Sequence, residues 1–180
     1  MGNHAGKEKF DTSGFVMRKQ EVGEADTVMT ISRAGRRPPF DPAAERIVIL
    51  GLPGSGRRQL AELVARRFGM QSAAPDDDAG PDVVTELCCR TGLVLAAPVS
   101  AVRDEALRAC LRDGARVFYM MTNPVRLAAE LGLSGETGEK FCREALELET
   151  LCMGVLHFLL PDGRTPEQLV DNVCENLGVA

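Results

Sequence analysis

RIVILGLPGSGRRQLAELVARRFGM, Arg46 to Met70, changes character twice within its length. Ile47-Val48-Ile49-Leu50 is an unbroken apolar run, as a strand buried on both faces requires. Gly51-Leu52-Pro53-Gly54-Ser55-Gly56 interrupts it, and Leu60, Leu63, Val64 and Phe68 follow at helical spacing. Buried strand, glycine-rich turn and amphipathic helix, in that order, are the setting of a phosphate loop. Glycines let backbone N–H groups curl round an anion, and the helix N-terminus adds its partial positive charge. The candidate anion- or cofactor-binding residues are therefore Gly51, Gly54, Ser55, Gly56, Arg57 and Arg58. The full motif is G-x-x-x-x-G-K-[ST], and here Arg57 takes the lysine position and Arg58 the hydroxyl position. Arg57 keeps the charge but not the compact ammonium. Arg58 cannot replace the hydroxyl that ligates Mg²⁺, because a guanidinium has no lone pair to give. ATP or another phosphate anion suits such a loop; Mg²⁺ does not, and no metal-ligating residue is assigned.

Outward from the loop the pattern stays α/β. Leu93–Ala96 reads as a second buried strand and Arg116–Met121 as a third, with a short strand near His157–Leu160. Helices are predicted around Val83–Cys88, over Val102–Leu111 with Gly114 as its cap, over Pro124–Leu131, over Phe141–Leu156, and after Thr165-Pro166-Glu167-Gln168, which supplies an N-cap, a first-turn proline and a capping-box glutamine. Strands alternating with helices imply a three-layer α/β fold, a mostly parallel sheet flanked by helices, over residues 45–180. Residues 1–44 are polar and glycine-rich and end in RAGRRPPFDPAAE. They read as a disordered or loosely attached extension, with TVMTISR (Thr27–Arg33) as a candidate short strand and a protein partner as the candidate ligand of the segment.

A net charge of -5 gives no electrostatic reason to expect nucleic acid or an anionic membrane as partner. No apolar run has the roughly 18 residues of a membrane span, and MGNHAGKEKF has no apolar core of a secretory signal. Gly6 stands where a myristoylation signal needs Ser or Thr. Cys88, Cys89, Cys110, Cys142, Cys152 and Cys174 form no C-x-x-C pair and fall mostly at apolar helical positions, which implies reduced thiols in a cytoplasmic protein.

Four stretches, taken together, resemble the shikimate kinase family: ILGLPGSGRRQLAELVARRFGM, VLAAPVSAVRDEALRACLRDGARVFYM, TNPVRLAAELG and DGRTPEQLVDNVCENL. They cover the chain from Arg46 to its end, and the first and last are the most specific. The resemblance implies ATP and shikimate as substrates. It also implies an Asp-x-Asp whose first member falls on Ala74 and whose second, the substrate-binding one, falls on Asp76 within APDDDAG. Asp77 and Asp78 offer other registers, and a solvated acidic loop is the competing reading. The family's substrate-contacting glycines fall on Ala97-Pro98-Val99, its lid on LGLSGETGEK, which has Lys140 but no arginine, and its carboxylate-binding arginine near Glu147-Leu148. Phosphoryl transfer depends on positioned positive charge, so these departures imply a member without shikimate kinase activity, retained for binding or regulation. A divergent small-molecule kinase using Arg57 as its clamp and a nucleotide or anion sensor are the alternatives.

Overall fold

The computed structural model describes residues 38–179; the expectations for TVMTISR and for the rest of the chain before Pro38 lie outside them. Five strands, β1 (Arg46–Gly51), β2 (Gln71–Ala73), β3 (Leu93–Pro98), β4 (Arg116–Met120) and β5 (Phe158–Leu160), form a sheet of order β2-β3-β1-β4-β5. Every pairing is parallel. The helices are α1 (Arg57–Phe68), α2 (Pro81–Cys88), α3 (Glu105–Gly114), α4 (Pro124–Glu130), α5 (Gly135–Met153) and α6 (Pro166–Leu177), with a 3-10 turn over Val99–Arg103. This is the expected three-layer α/β architecture.

Strand periodicity divides the core in two. Val48 and Leu50 of β1 point to the side covered by α2, α3 and α5, where Val84, Leu107, Leu111, Leu148 and Cys152 are buried. Ile47 and Ile49 point to the side covered by α1 and α6, against Leu60, Val64, Leu169 and Val173. A central parallel strand must be apolar at every position for this reason. β2 escapes the rule. It is an edge strand, and Gln71 and Ser72 are exposed, so a polar sequence suffices there.

Local signals set the helix ends. Gly69 caps α1 with φ 66°, its N–H bonded to Arg66 and that of Met70 bonded to Ala65, the paired bonds of a left-handed C-cap. The Thr165–Gln168 capping box is formed in both directions. Three expectations change. Asp104 accepts from the Leu107 N–H at 2.7 Å and splits the expected single helix into the 3-10 turn and α3. Gly114 is the last residue of α3 and Ala115 is its cap. α5 begins at Gly135, six residues before the expected Phe141, so most of the expected lid sequence is helix.

Residues 38–44 pack on the domain rather than trailing from it. Phe40 is buried, with its ring edge-on to Phe68 at 5.2 Å between centroids. Arg116, nearly buried at the start of β4, donates to Glu45 at 2.8 Å and to the Pro38 carbonyl at 2.8 Å. Residues 38–44 accordingly belong to the same compact unit as the sheet. Cys88 and Cys152 are buried in the core, where desolvation pushes each thiol up to about 12 and leaves it unreactive. Among the described residues no helix is long and apolar enough to cross a membrane.

Glu45→Gln should leave the buried Arg116 guanidinium with an uncompensated charge. The expected loss of stability is about 2–3 kcal/mol, below the full penalty of a deeply buried broken pair because the Glu45 side chain is 24% exposed. Urea unfolding of the variant and the parent chain measures it.

Candidate functional site

β1 is the strand at which the sheet order reverses, with β3 on one side and β4 on the other. Ligands of parallel α/β sheets bind at the carboxyl ends of the strands at such a point, and the glycine-rich loop stands there. Its backbone turns back on itself, with the Ser55 N–H donating to the Leu52 carbonyl at 3.0 Å. Gly54 and Gly56 both have φ 83°, where any other residue is strained. A Cβ on Gly51 would stand 2.5 Å from the Ser55 hydroxyl, so a side chain there would force that hydroxyl to move. Gly56 occupies the N-cap of α1 and gives no side-chain cap, so the first N–H groups of the helix keep the capacity to bind an anion. The loop architecture is thus that of a phosphate loop.

The cations at its end do not face an open seat. Arg57 is buried, its side chain 3% exposed, and its Nη2 donates to Asp77 Oδ1. Its Nη1 reaches the Leu52 carbonyl at 3.4 Å. Arg58 lies outside, donating to the Pro75 carbonyl at 3.3 Å and to Asp76 at 3.4 Å. The two arginines therefore meet two consecutive aspartates of the acidic loop. The pairs differ in worth. Arg58 and Asp76 are 45% and 83% exposed, and such a pair contributes at most about 1 kcal/mol. Arg57 has given up its water, and its charge is tolerable only beside Asp77. Asp76, the candidate substrate-binding aspartate, is turned to solvent and to Arg58; Asp77 is the carboxylate that reaches the interior of the site. Neither the loop nor these aspartates fit Mg²⁺: the hydroxyl position is a guanidinium, and both carboxylates are engaged by arginine. Among the described residues no cluster of His, Cys, Asp or Glu could hold a metal ion.

Two cavities flank the loop. The first, of about 240 Å³, lies beside Leu52 and Pro53, between the end of β3 and α5. Ala97 and Pro98 complete β3, and Val99 opens the 3-10 turn and lines the cavity where the family resemblance expected glycine. Leu148 lines it too, but Glu147 does not; Glu144, one turn earlier on α5, supplies the negative charge expected of Glu147. Lys140 is exposed and makes a loose contact to Glu144 at 3.9 Å. Arg103 also lines the cavity, so a guanidinium is present on this side after all. Its only sequence signal is position, a few residues beyond the end of a buried parallel strand, where ligands bind.

The second cavity, of about 180 Å³, adjoins Gly54 and Ser55 on the β4 side. Arg126, Asp162 and Arg164 line it. Arg126 donates to Asp162 at 2.6 Å, and Asp162 also accepts from the Asn123 N–H at 3.2 Å and the Gly163 N–H at 2.7 Å. The Arg126 hydrogen bond, supported by these backbone donors, holds the Asp162 carboxyl below its ordinary range. Asp162 thereby ties the start of α4 to the turn before α6. Its members, 36 residues apart, come from two of the stretches that resemble the shikimate kinase family, TNPVRLAAELG and DGRTPEQLVDNVCENL, but nothing in the sequence pairs them.

No family model matches this sequence, and no curated protein matches it. Solved structures do. A shikimate kinase from Acinetobacter baumannii, in complex with shikimate, superposes with a TM-score of 0.64 at 20% identity, over 74% of this chain and 93% of that one. A shikimate kinase from Aquifex aeolicus gives 0.61 at 12% identity, over 74% and 96%. A gluconokinase from Sinorhizobium meliloti 1021 gives 0.53 at 16% identity, over 76% and 93%. At such identities the likeness establishes the fold, that of shikimate kinases and related P-loop small-molecule kinases.

The Asp162 cluster gives a pH signature. A carboxyl with a depressed folded pKa adds stability that is complete above its unfolded value of about 4 and is lost as pH falls through the folded value. The stability difference between the parent chain and Asp162→Asn should therefore be constant from neutral pH to about pH 5 and shrink toward zero below about pH 4. Unfolding curves recorded across that range check it.

Proposed function

We propose that this chain is a shikimate-kinase-like protein without shikimate kinase activity, a degenerate P-loop kinase retained for binding or regulation. The observation that carries the reading is the pairing of buried Arg57 with Asp77, whose own side chain stays 44% exposed. In phosphoryl transfer the loop cation is held ready for the β- and γ-phosphates, and nearly all catalysis comes from such positioned charge and from Mg²⁺. Here the cation at that position is already neutralised from within, and the next residue cannot bind a metal. The lid sequence is helical from Gly135 and brings no arginine, only the exposed Lys140. In the first cavity the Glu144 carboxylate offsets the Arg103 guanidinium, so its wall offers an anionic substrate no net positive charge. A mutant that merely lost one catalytic group would keep the others in place; this site departs at the cation, the metal ligand, the lid and the substrate wall together. On the same reading the protein is cytoplasmic, and the part of residues 1–44 that precedes Pro38 serves to engage a protein partner.

A nucleotide or anion sensor is the second reading. It is favoured by the second cavity, which joins the free loop glycines to Arg164, a cation with no ion-pair partner among the described residues. The divergent-kinase alternative requires Arg57 to leave Asp77 each time ATP binds.

Arg57→Lys combined with Arg58→Ser restores the motif and tests the proposal. The double variant should gain Mg²⁺-dependent ATP affinity by about tenfold or more, with the hydroxyl again able to ligate the metal, and should still release no ADP in response to shikimate. The acceptor side would remain unaligned, and rate depends on both reactants together. Shikimate-dependent turnover by the parent chain or by this variant would overturn the reading.

A further inference from the structure

We infer that the cavity of about 240 Å³ beside Leu52 binds a small zwitterion, an α-amino acid with an apolar side chain. The inference rests on the reading of this domain as a binding protein and gives its ligand a chemical class. Four charged side chains matter here. Asp77 and Arg57 cancel one another. Arg103 and Glu144 face the same cavity from different elements, the 3-10 turn after β3 and α5. They make no ion pair with each other, since their charged atoms stand beyond the 4.0 Å that defines one. Arg103 has no ion-pair partner among the described residues, and Glu144 has only the loose contact to Lys140 at 3.9 Å, with both side chains well exposed.

Opposite charges that share a cavity without touching are bridged by a molecule carrying both. A carboxylate is the natural partner of a guanidinium, which offers it parallel N–H donors, and an ammonium is the natural partner of a glutamate. The wall between them is apolar, with Leu52, Pro53, Phe141 and Leu148, so the rest of the ligand is hydrocarbon. The charges also select by sum. With Asp77 neutralised, Arg103 and Glu144 balance, and a ligand of net charge leaves one of them without a partner. An anionic hydroxy acid meets Glu144; a simple amine leaves Arg103 unmet. The volume lies under the roughly 300–1,000 Å³ of drug-sized sites, which suits an amino acid and excludes a nucleotide.

Isothermal titration of the full chain with L-leucine and L-phenylalanine tests this. At least one should bind saturably at one site. Isopentylamine and phenethylamine, and 4-methylpentanoate and 3-phenylpropionate, each lacking one charge, should bind about tenfold or more weakly, the usual loss when a charged group is left without its partner. Arg103→Gln and Glu144→Gln should each reduce amino-acid affinity by about tenfold or more, and Arg103→Lys should retain more of it than Arg103→Gln. Both side chains are exposed, so the variants should keep the parent unfolding midpoint. Absence of saturable binding by either amino acid, equal binding of the one-charge analogues, or unchanged affinity in both glutamine variants would overturn the inference. None of these results bears on turnover, which is read separately as ADP release from ATP.

Discussion

A guanidinium at position 57 cannot be left to solvent, because the turn into α1 carries it under the loop, where 3% of its side chain remains exposed. Burying an unpaired charge is prohibitive, so some carboxylate must meet it, and Asp77, itself partly open to solvent, does. Much of the site follows from that pair. The acidic loop after β2 is drawn across the mouth of the phosphate loop, and Arg58 fastens its neighbour Asp76 and the Pro75 carbonyl to the outside of the same helix. Ser100 adds a hydrogen bond to the Asp77 carbonyl at 3.3 Å from the turn after β3.

The same constraint explains why β2 can be so short and polar. An edge strand of three residues with two exposed side chains is poorly specified by burial. What fixes the chain beyond it is electrostatic, the attachment of residues 75–77 to α1. Elsewhere the fold is held by ordinary means: two apolar layers, a left-handed cap on α1, a capping box on α6, and the Glu45–Arg116 clasp at the amino ends of β1 and β4. Those features need no phosphate, so the fold stands with or without chemistry at the loop.

Periodicity and glycine spacing made most of the architecture legible. Ile47–Leu50 and Leu93–Ala96 are apolar throughout because both faces of a central parallel strand are covered, and few other environments demand such a run. The site was legible where it is local: the loop from Gly51 to Arg58 is contiguous, and its geometry follows from its glycines. It was illegible where it is assembled across the sheet. Asp76 and Asp77 are equivalent in sequence, and only the path of the loop decides that Asp77 turns inward. Glu144 rather than Glu147 lines the cavity because it shares one helical face of α5 with Phe141, Ala145 and Leu148. Arg103 carries no motif at all. Its position becomes meaningful once Asp104 caps α3 and ends the preceding turn.

The claim on which the rest depends is that the acidic loop, rather than a phosphate, holds the charge of the phosphate-loop arginines. Titrating inorganic phosphate at low ionic strength onto the parent chain and onto Asp76→Asn/Asp77→Asn measures it directly. Removing both carboxylates should raise phosphate affinity by about tenfold or more, as freed guanidinium donors take up the anion, and a further Arg57→Ala should abolish the gain. Phosphate binding by the parent chain as tight as that of the double variant would show that Arg57 is available to ligand despite Asp77, and would contradict the account.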